Sequence, residues 1–88
     1  MVVKLFATLR EHGGACVDAD ASDVGGLLAT LTGRFGAPFR EELLDASGAL
    51  RAGVVVLVNG VNVHALGGLA APLRAEDTVS IFPLVGGG

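Results

Sequence analysis

Residues 54–63, with the sequence VVVLVNGVNV, carry the strongest structural signal of the 88-residue chain. Five consecutive aliphatic residues, four of them β-branched, predict a strand over residues 54–58. Asn59-Gly60 follows at once, and this dipeptide favours the tight turn of a two-residue hairpin. Residues 61–63 are therefore predicted to pair back on the strand.

The first twenty residues predict a second hairpin. Residues 2–9, VVKLFATL, alternate with the period of a strand, so that successive side chains face opposite sides of a sheet. His12-Gly13-Gly14 is a turn signal, and residues 15–20 are predicted to return as the partner strand.

Between the two hairpins, apolar residues no longer recur at every second position but at the three- and four-residue spacing of a helix. Ser22 is the predicted N-cap, and Gly36-Ala37-Pro38 is predicted to end the helix. Residues 39–44 are expected to form only a short helical turn. One buried helical face is predicted by the spacing of Val24, Leu27, Leu28, Leu31 and Phe35.

The last predicted strand covers residues 78–82, between a turn at Glu76-Asp77 and a stop at Pro83. The element order is then ββαββ, an ambiguous stretch over residues 39–53, and a final strand. This order predicts an α+β fold of the β-grasp type, a mixed sheet of about five strands with one main helix on one face. Residues 1–83 form the predicted domain, followed by a flexible tail over residues 84–88.

Composition narrows the class of protein. Apolar residues make up 51% of the chain, mean hydropathy is +0.64 and charged residues are 17%, a balance typical of a folded domain. The six basic residues are scattered, net charge is −3, and Trp and Tyr are absent, so nucleic acid is not an expected partner. No apolar run approaches membrane-spanning length, and residues 1–5 lack a signal-peptide layout. We expect a cytoplasmic protein.

Conventional active-site groups are sparse. His12 and His64 stand apart without a second ligand at metal-binding spacing, so no metal site is predicted. Glu41-Glu42 and Glu76-Asp77 are expected to be solvated pairs. Cys16 is the one cysteine, which excludes an internal disulfide, and a lone Cys in a Val-rich run is expected to be packing material. The chain is not predicted to be an enzyme.

The end of the chain offers a different chemistry. Residues 84–88, LVGGG, extend about 16 Å when fully stretched, and three glycines without side chains fit a narrow channel. ATP can convert a terminal carboxylate, a poor electrophile, into an acyl-adenylate that a sulfur nucleophile attacks. The alternative interpretation is a Gly-rich terminus without a function.

Three stretches resemble the MoaD/ThiS family of ubiquitin-like sulfur carriers, which includes molybdopterin synthase small subunits and CysO-like proteins. They are Leu5-Phe6-Ala7-Thr8-Leu9-Arg10-Glu11, Val58-Asn59-Gly60, and the last thirteen residues. The ending is the most specific of the three, because an acidic turn, a strand with a proline and a terminal Gly-Gly follow one another at the family's spacing.

The resemblance implies a role for the terminus. An E1-like enzyme of the MoeB/ThiF type would adenylate Gly88 with ATP and magnesium, and a sulfur donor would convert it to a thiocarboxylate. Gly87 and Gly86 would form the flexible segment that leads to Gly88. This chain would hold no permanent cofactor. A sulfur-accepting enzyme, such as a molybdopterin synthase large subunit or a cysteine synthase, would then take the sulfur.

A docking surface follows from strand alternation. If Val79 and Ile81 face the core, Phe82 faces outward, and the same argument turns Phe6 and Leu57 outward. In a β-grasp sheet these strands are neighbours, so the three side chains are predicted to form one apolar patch, of the kind that marks partner sites. Family members use aromatic residues at the matching positions to contact partners. The predicted partner-binding residues are Phe6, Arg10, Leu57, Phe82, Pro83, Leu84 and Val85.

The pathway stays open at this point. Leu84 stands where molybdopterin synthase small subunits often have a second proline, and Gly86 where Ser, Thr or Ala is frequent. Gly67-Gly68-Leu69-Ala70 is similar to carriers that feed cysteine synthesis. Two alternatives remain besides a carrier for molybdenum-cofactor, thiamine or cysteine synthesis: a protein modifier conjugated to lysines through Gly88, and an interaction module with an inert tail.

Overall fold

Five strands form one mixed sheet in the order β2-β1-β5-β3-β4 in the computed structural model, which describes residues 1–83. Strands β1 and β5 run parallel, and the other neighbours are antiparallel. The predicted β-grasp fold is therefore confirmed, whereas the predicted flexibility of residues 84–88 lies outside the described residues. The strands are β1 (Val2–Leu5), β2 (Cys16–Asp18), β3 (Val55–Val58), β4 (Val61–Asn62) and β5 (Thr78–Phe82).

The connection from β1 to β2 differs from the prediction. Strand β1 ends at Leu5, and the chain continues through a 3-10 turn (Ala7–Leu9) and a short helix, α1 (Arg10–Gly13). Leu5 and Leu9 are both fully buried, and their spacing of four residues fits a helical turn as well as a strand. The alternation over residues 2–9 was therefore ambiguous beyond Leu5, and the prediction of one long strand was wrong.

Helix α2 (Val24–Phe35) buries four of the five residues of the predicted face, since Val24, Leu27, Leu28 and Leu31 are at most 2% exposed. Phe35, the fifth, is half-buried. Its N-cap is Asp23, whose Oδ1 accepts a hydrogen bond from the Gly26 amide at 2.7 Å, and the prediction of Ser22 was wrong by one residue. A cap must point its side chain at the free amides of the first turn, and only Asp23 does so.

The stretch after α2 is more helical than predicted. Gly36, with φ of 92°, ends α2, and α3 (Ala37–Leu43) begins directly after it with Pro38 in its first turn. Proline suits that position because the first amides of a helix have no partner within the helix. Phe39 and Leu43 are fully buried, so a two-turn helix replaces the predicted short turn.

The helices cover one face of the sheet and leave the other open. The inward positions of the central strands are buried, whereas the outward positions of β3 and β5 are half-buried. Residues 1–83 contain no helix that is long and apolar enough to cross a membrane. The sheet side of the core consists of Val3, Leu5, Val56, Val58, Val79 and Ile81.

Asp23→Ala is expected to lower the free energy of unfolding by about 1 kcal/mol, because the Gly26 amide loses its acceptor. Ser22→Ala is the matched control, since only the backbone carbonyl of Ser22 is used, by the Leu73 amide at 3.0 Å. Thermal unfolding followed by circular dichroism measures both, with a drop of about 4–8 °C expected for Asp23→Ala. Equal losses in the two variants would contradict the assigned cap.

The turn between β3 and β4 is tied to the turn before β5. Asn59 and Gly60, the predicted hairpin turn, both have positive φ, 50° and 84°, as a type I′ turn requires. The carboxylate of Asp77 accepts hydrogen bonds from the Arg74 amide at 2.7 Å and from Asn59 Nδ2 at 2.9 Å. These two hydrogen bonds hold the pKa of Asp77 below its usual range, and the bond from the Arg74 amide is the larger cause.

Strand β4 ends at Asn62, one residue earlier than predicted.

Acid is expected to unfold the protein partly by breaking this connection. Because the pKa of Asp77 is lower in the folded chain, its stabilisation is complete above the pKa of an unfolded Asp and is lost as pH falls through the lower folded value. Asp77→Asn should therefore flatten the decline in stability below about pH 4. Urea titrations at pH 7 and pH 3 measure this, with the exposed Glu41→Gln as control. An unchanged decline in Asp77→Asn would refute the assignment.

Candidate functional site

Two phenylalanine rings stack on the open face of the sheet. Strand β1 runs parallel to β5 in the register Leu5↔Ile81, and the Phe6 amide donates to the Ile81 carbonyl at 3.2 Å. Phe6 therefore lies beside Phe82, and the ring centroids are 4.1 Å apart with an interplanar angle of 16°. Both side chains are half-buried, which leaves part of each ring available to a partner.

Aliphatic side chains of β3 extend this surface. The register pairs Val55 with Phe82 and Leu57 with Ser80, so Val55 is the direct neighbour of the ring and Leu57 lies diagonally. Both are half-buried. The sequence analysis named Leu57 and missed Val55. Strand alternation puts both side chains on the same face, and only the pairing register shows that Val55 is the one beside Phe82. The four residues Phe6, Val55, Leu57 and Phe82 are called the aromatic patch below.

Arg10 lies against the patch within its own chain. Its Nε donates to the Leu5 carbonyl at 3.2 Å, and the guanidinium carbon lies 5.7 Å from the centroid of the Phe6 ring. Ala7 makes this possible, because its φ of 52° reverses the chain directly after Phe6. The side chain predicted to contact a partner therefore supports Phe6 first, and its exposed position leaves the remaining N–H groups at the rim of the patch.

The patch lies directly before the predicted tail. Phe82 ends β5, and Pro83, the last described residue, is buried. The remaining site residues named from the sequence lie outside the described residues, and their roles stay predictions. These are Leu84, Val85, Gly86, Gly87 and Gly88.

A second cluster fixes the segment that carries Phe6 and Arg10. His12 Nε2 lies 2.7 Å from Glu42 Oε2, and the Thr8 hydroxyl donates to Glu42 Oε1. The His12 ring also meets Phe39 edge-on, with centroids 5.5 Å apart. The sequence analysis predicted an isolated His12 and a solvated Glu42, and both predictions were wrong. Helix α3 brings the two residues together although they are thirty positions apart in the chain.

Cys16 is exposed at the edge strand β2, so its prediction as packing material was wrong. Cys16 lies on a strand, as the Val-rich run indicated. The pairing register places it opposite Lys4, a residue of the open face, and so not in the core. Within residues 1–83 there is no group of three or more His, Cys, Asp or Glu side chains arranged to hold a metal ion.

Comparison with known proteins identifies the family of this chain. The ThiS family model matches residues 3–88, which includes the aromatic patch and the terminal glycines. The chain belongs to the ThiS family. A putative sulfur carrier protein of Archaeoglobus fulgidus is 36% identical over 86 residues, covering 98% of this chain and 96% of the relative.

A modifier protein and a chain of a crystallised complex are also similar to this chain. Small archaeal modifier protein 3 of Haloferax volcanii is 37% identical over 91 residues, covering 98% of this chain and 96% of the relative. The crystal structure of the Amycolatopsis orientalis BexX/CysO complex contains a chain with a TM-score of 0.84 and 30% identity, covering 99% of this chain and 98% of that one. The ubiquitin-like fold and membership of a family of sulfur carriers and modifiers are thereby established for this ThiS family protein.

Arg10→Met is expected to loosen the Phe6 ring while the fold remains. It removes the hydrogen bond to the Leu5 carbonyl and the cation–π contact, which together contribute about 1 kcal/mol at an exposed site. Urea unfolding and the ring-proton resonances of Phe6 measure the effect, and Arg74→Met, at an exposed position, is the control. Phe6 resonances identical in the wild type and Arg10→Met would exclude the supporting role.

Proposed function

We propose that this ThiS family protein is a sulfur carrier whose working group is the carboxylate of Gly88. The observation that carries the proposal is that the family match extends over residues 3–88 and so includes Gly86, Gly87 and Gly88. The aromatic patch supports it, since a partner bound there reaches the chain immediately before the tail.

The proposed chemistry follows from the low reactivity of a carboxylate. An E1-like adenylating enzyme of the MoeB/ThiF type uses ATP and magnesium to form an acyl-adenylate at Gly88, and pyrophosphate leaves. The terminal sulfur of a persulfide donor attacks the acyl carbon, and AMP leaves. A thiol then reduces the acyl disulfide, which releases the thiocarboxylate. The chain is a co-substrate in these steps, because the partner supplies the catalytic groups and the bound nucleotide.

The aromatic patch is the proposed docking surface for both partners. Partly exposed aromatic rings contribute much of the binding free energy in protein interfaces because they bury a large area with few rotatable bonds. A sulfur-accepting enzyme, of the molybdopterin synthase large-subunit or cysteine synthase type, would use the patch after the activating enzyme has left. The BexX/CysO complex supports such an interaction, since a chain similar to this one is part of a complex there. We expect this exchange to take place in the cytoplasm, where ATP is available.

Intact mass spectrometry tests the carrier role. The purified chain is incubated with the activating enzyme of its host, ATP, magnesium and a sulfur donor. A species in which one oxygen is replaced by one sulfur, located at Gly88 by fragmentation, is the expected product. A chain lacking Gly88 is the control and should gain no sulfur. If the complete chain repeatedly stays a carboxylate while ATP is consumed, the sulfur-carrier role is excluded.

The role of the patch is tested by kinetics of adenylation. Phe6→Ala and Phe82→Ala should each raise KM for the carrier by about tenfold or more, because an interface aromatic contributes about 2 kcal/mol or more. The kcat should change little, since neither ring touches the reacting carboxylate. Val61→Ala truncates an apolar side chain that is 45% exposed outside the patch, and it should leave both constants unchanged. A fall confined to kcat would contradict a docking role.

Conjugation to lysine is the second candidate, favoured by the similarity to small archaeal modifier protein 3. An activated Gly88 can react with a lysine amine as well as with sulfur. Tryptic digestion of proteins from the native host should then yield lysines that carry the C-terminal remnant of this chain. Their presence would extend the proposed function, and their absence together with a thiocarboxylate would restrict the chain to sulfur transfer.

A further inference from the structure

A groove opens on the helical side of the sheet, away from the aromatic patch. Its volume is about 250 Å³, and buried Leu28 and Leu44 form its floor. Because the helices cover the face opposite to the patch, a partner seated in the groove leaves Phe6 and Phe82 accessible. The remaining lining residues are Gly25, Ala29, Thr32, Arg40, Gly48 and Leu69.

Leu69 forms one wall of the groove and belongs to the Gly67-Gly68-Leu69-Ala70 segment, which the tail chemistry leaves unexplained. Positive φ values of 107° at Gly67 and 65° at Gly68 turn the chain into a 3-10 helix (Gly68–Ala70) that brings Leu69 against α2. Gly25 accepts this close approach, because a Cβ there would lie 3.2 Å from the Leu69 carbonyl oxygen. The glycines thus keep an apolar wall at a fixed distance from α2.

Arg40 adds an unused positive charge to this apolar surface. Arg10, Arg34 and Arg51 each donate to a backbone carbonyl. Arg40 is a half-buried residue whose guanidinium has no hydrogen-bond or ion-pair partner within residues 1–83. A guanidinium binds a carboxylate through two parallel hydrogen bonds, and partial burial strengthens such a pair. The charge of the groove therefore favours an anion next to an apolar group.

The size of the groove selects among occupants. Pockets that enclose cofactors and drug-sized ligands usually measure about 300–1,000 Å³, so this groove is suited to one or two side chains of a peptide. We propose that the groove binds an acidic peptide segment of a partner protein, with an aliphatic side chain on Leu28, Leu44 and Leu69 and a neighbouring carboxylate on Arg40. This site is independent of the chemistry proposed for the tail.

Peptide titration of the ¹⁵N-labelled full chain tests the proposal by NMR. Acetyl-Leu-Glu-amide should shift the amide resonances of Gly25, Ala29, Thr32 and Gly48. Acetyl-Leu-Gln-amide, which lacks only the charge, should bind about tenfold or more weakly, as expected for a hydrogen bond to a charged group. Acetyl-Ala-Glu-amide, which lacks the aliphatic anchor, should also bind more weakly.

Two variants locate the interaction. Arg40→Gln should abolish the preference for the Glu peptide over the Gln peptide, whereas Arg74→Gln, at an exposed position outside the groove, should keep it. Thr32→Trp should fill the groove and block binding, whereas Thr30→Trp, exposed on the same helix but outside the lining, should not.

Three results with the Glu and Gln peptides would overturn the proposal. They are no saturable shifts up to the solubility limit of the peptide, equal affinities for the Glu and Gln peptides, and shifts that centre on the aromatic patch. Stronger binding of the peptide Leu-Val-Gly-Gly-Gly than of the acidic peptide would also overturn it, because the groove would then hold the tail of this chain. Failure of sulfur transfer at Gly88 leaves these readouts unaffected, so the two proposals are tested separately.

Discussion

The parallel pairing of the first strand with the last is the interaction on which the rest of the structure depends. Strands β1 and β5 occupy adjacent places inside the sheet, and their inward residues Val3, Leu5, Val79 and Ile81 are fully buried. A parallel pair cannot be closed by a hairpin and needs a long crossover, so everything between the two strands must cover or extend the sheet. The same pairing places the Phe6 ring beside Phe82, at the end of β5 and directly before the predicted tail.

The places of the two proposed binding surfaces, one on each side of the sheet, follow from this arrangement. The helices bury the inner face, and the open face therefore carries the aromatic patch next to the end of β5. Thr8, His12 and Glu42 connect the turn that supports this patch to α3, so the patch is held from the helical layer as well as from the sheet. The groove on the helical side is separate from the patch. In the proposed functions, the patch, the groove and the terminus would each serve a different partner.

Much of the fold was accessible from local patterns. The spacing of apolar residues located α2, and Asn59-Gly60 located the central hairpin, because each pattern reports directly on which side chains a regular backbone brings together. Errors arose where two local solutions were equally good. Leu5 and Leu9 fit a strand and a helical turn alike, and Ser22 and Asp23 are both favoured caps. Neither ambiguity can be resolved without the surrounding packing.

The sequence by itself determined the class of fold, the buried face of the main helix and the outward placement of Phe6, Leu57 and Phe82, since these follow from periodicity and the order of the elements. It also singled out the glycine-rich end as the reactive group of the proposed function. Only the tertiary structure decided the register that places Val55 beside Phe82, the contact of Arg10 with Phe6, the His12–Glu42 pair and the Arg40 groove. The Arg10–Phe6 contact depends on the reversal of the chain at Ala7, where φ is positive in a residue other than glycine. The others depend on distances between residues far apart in the chain, which local patterns do not encode.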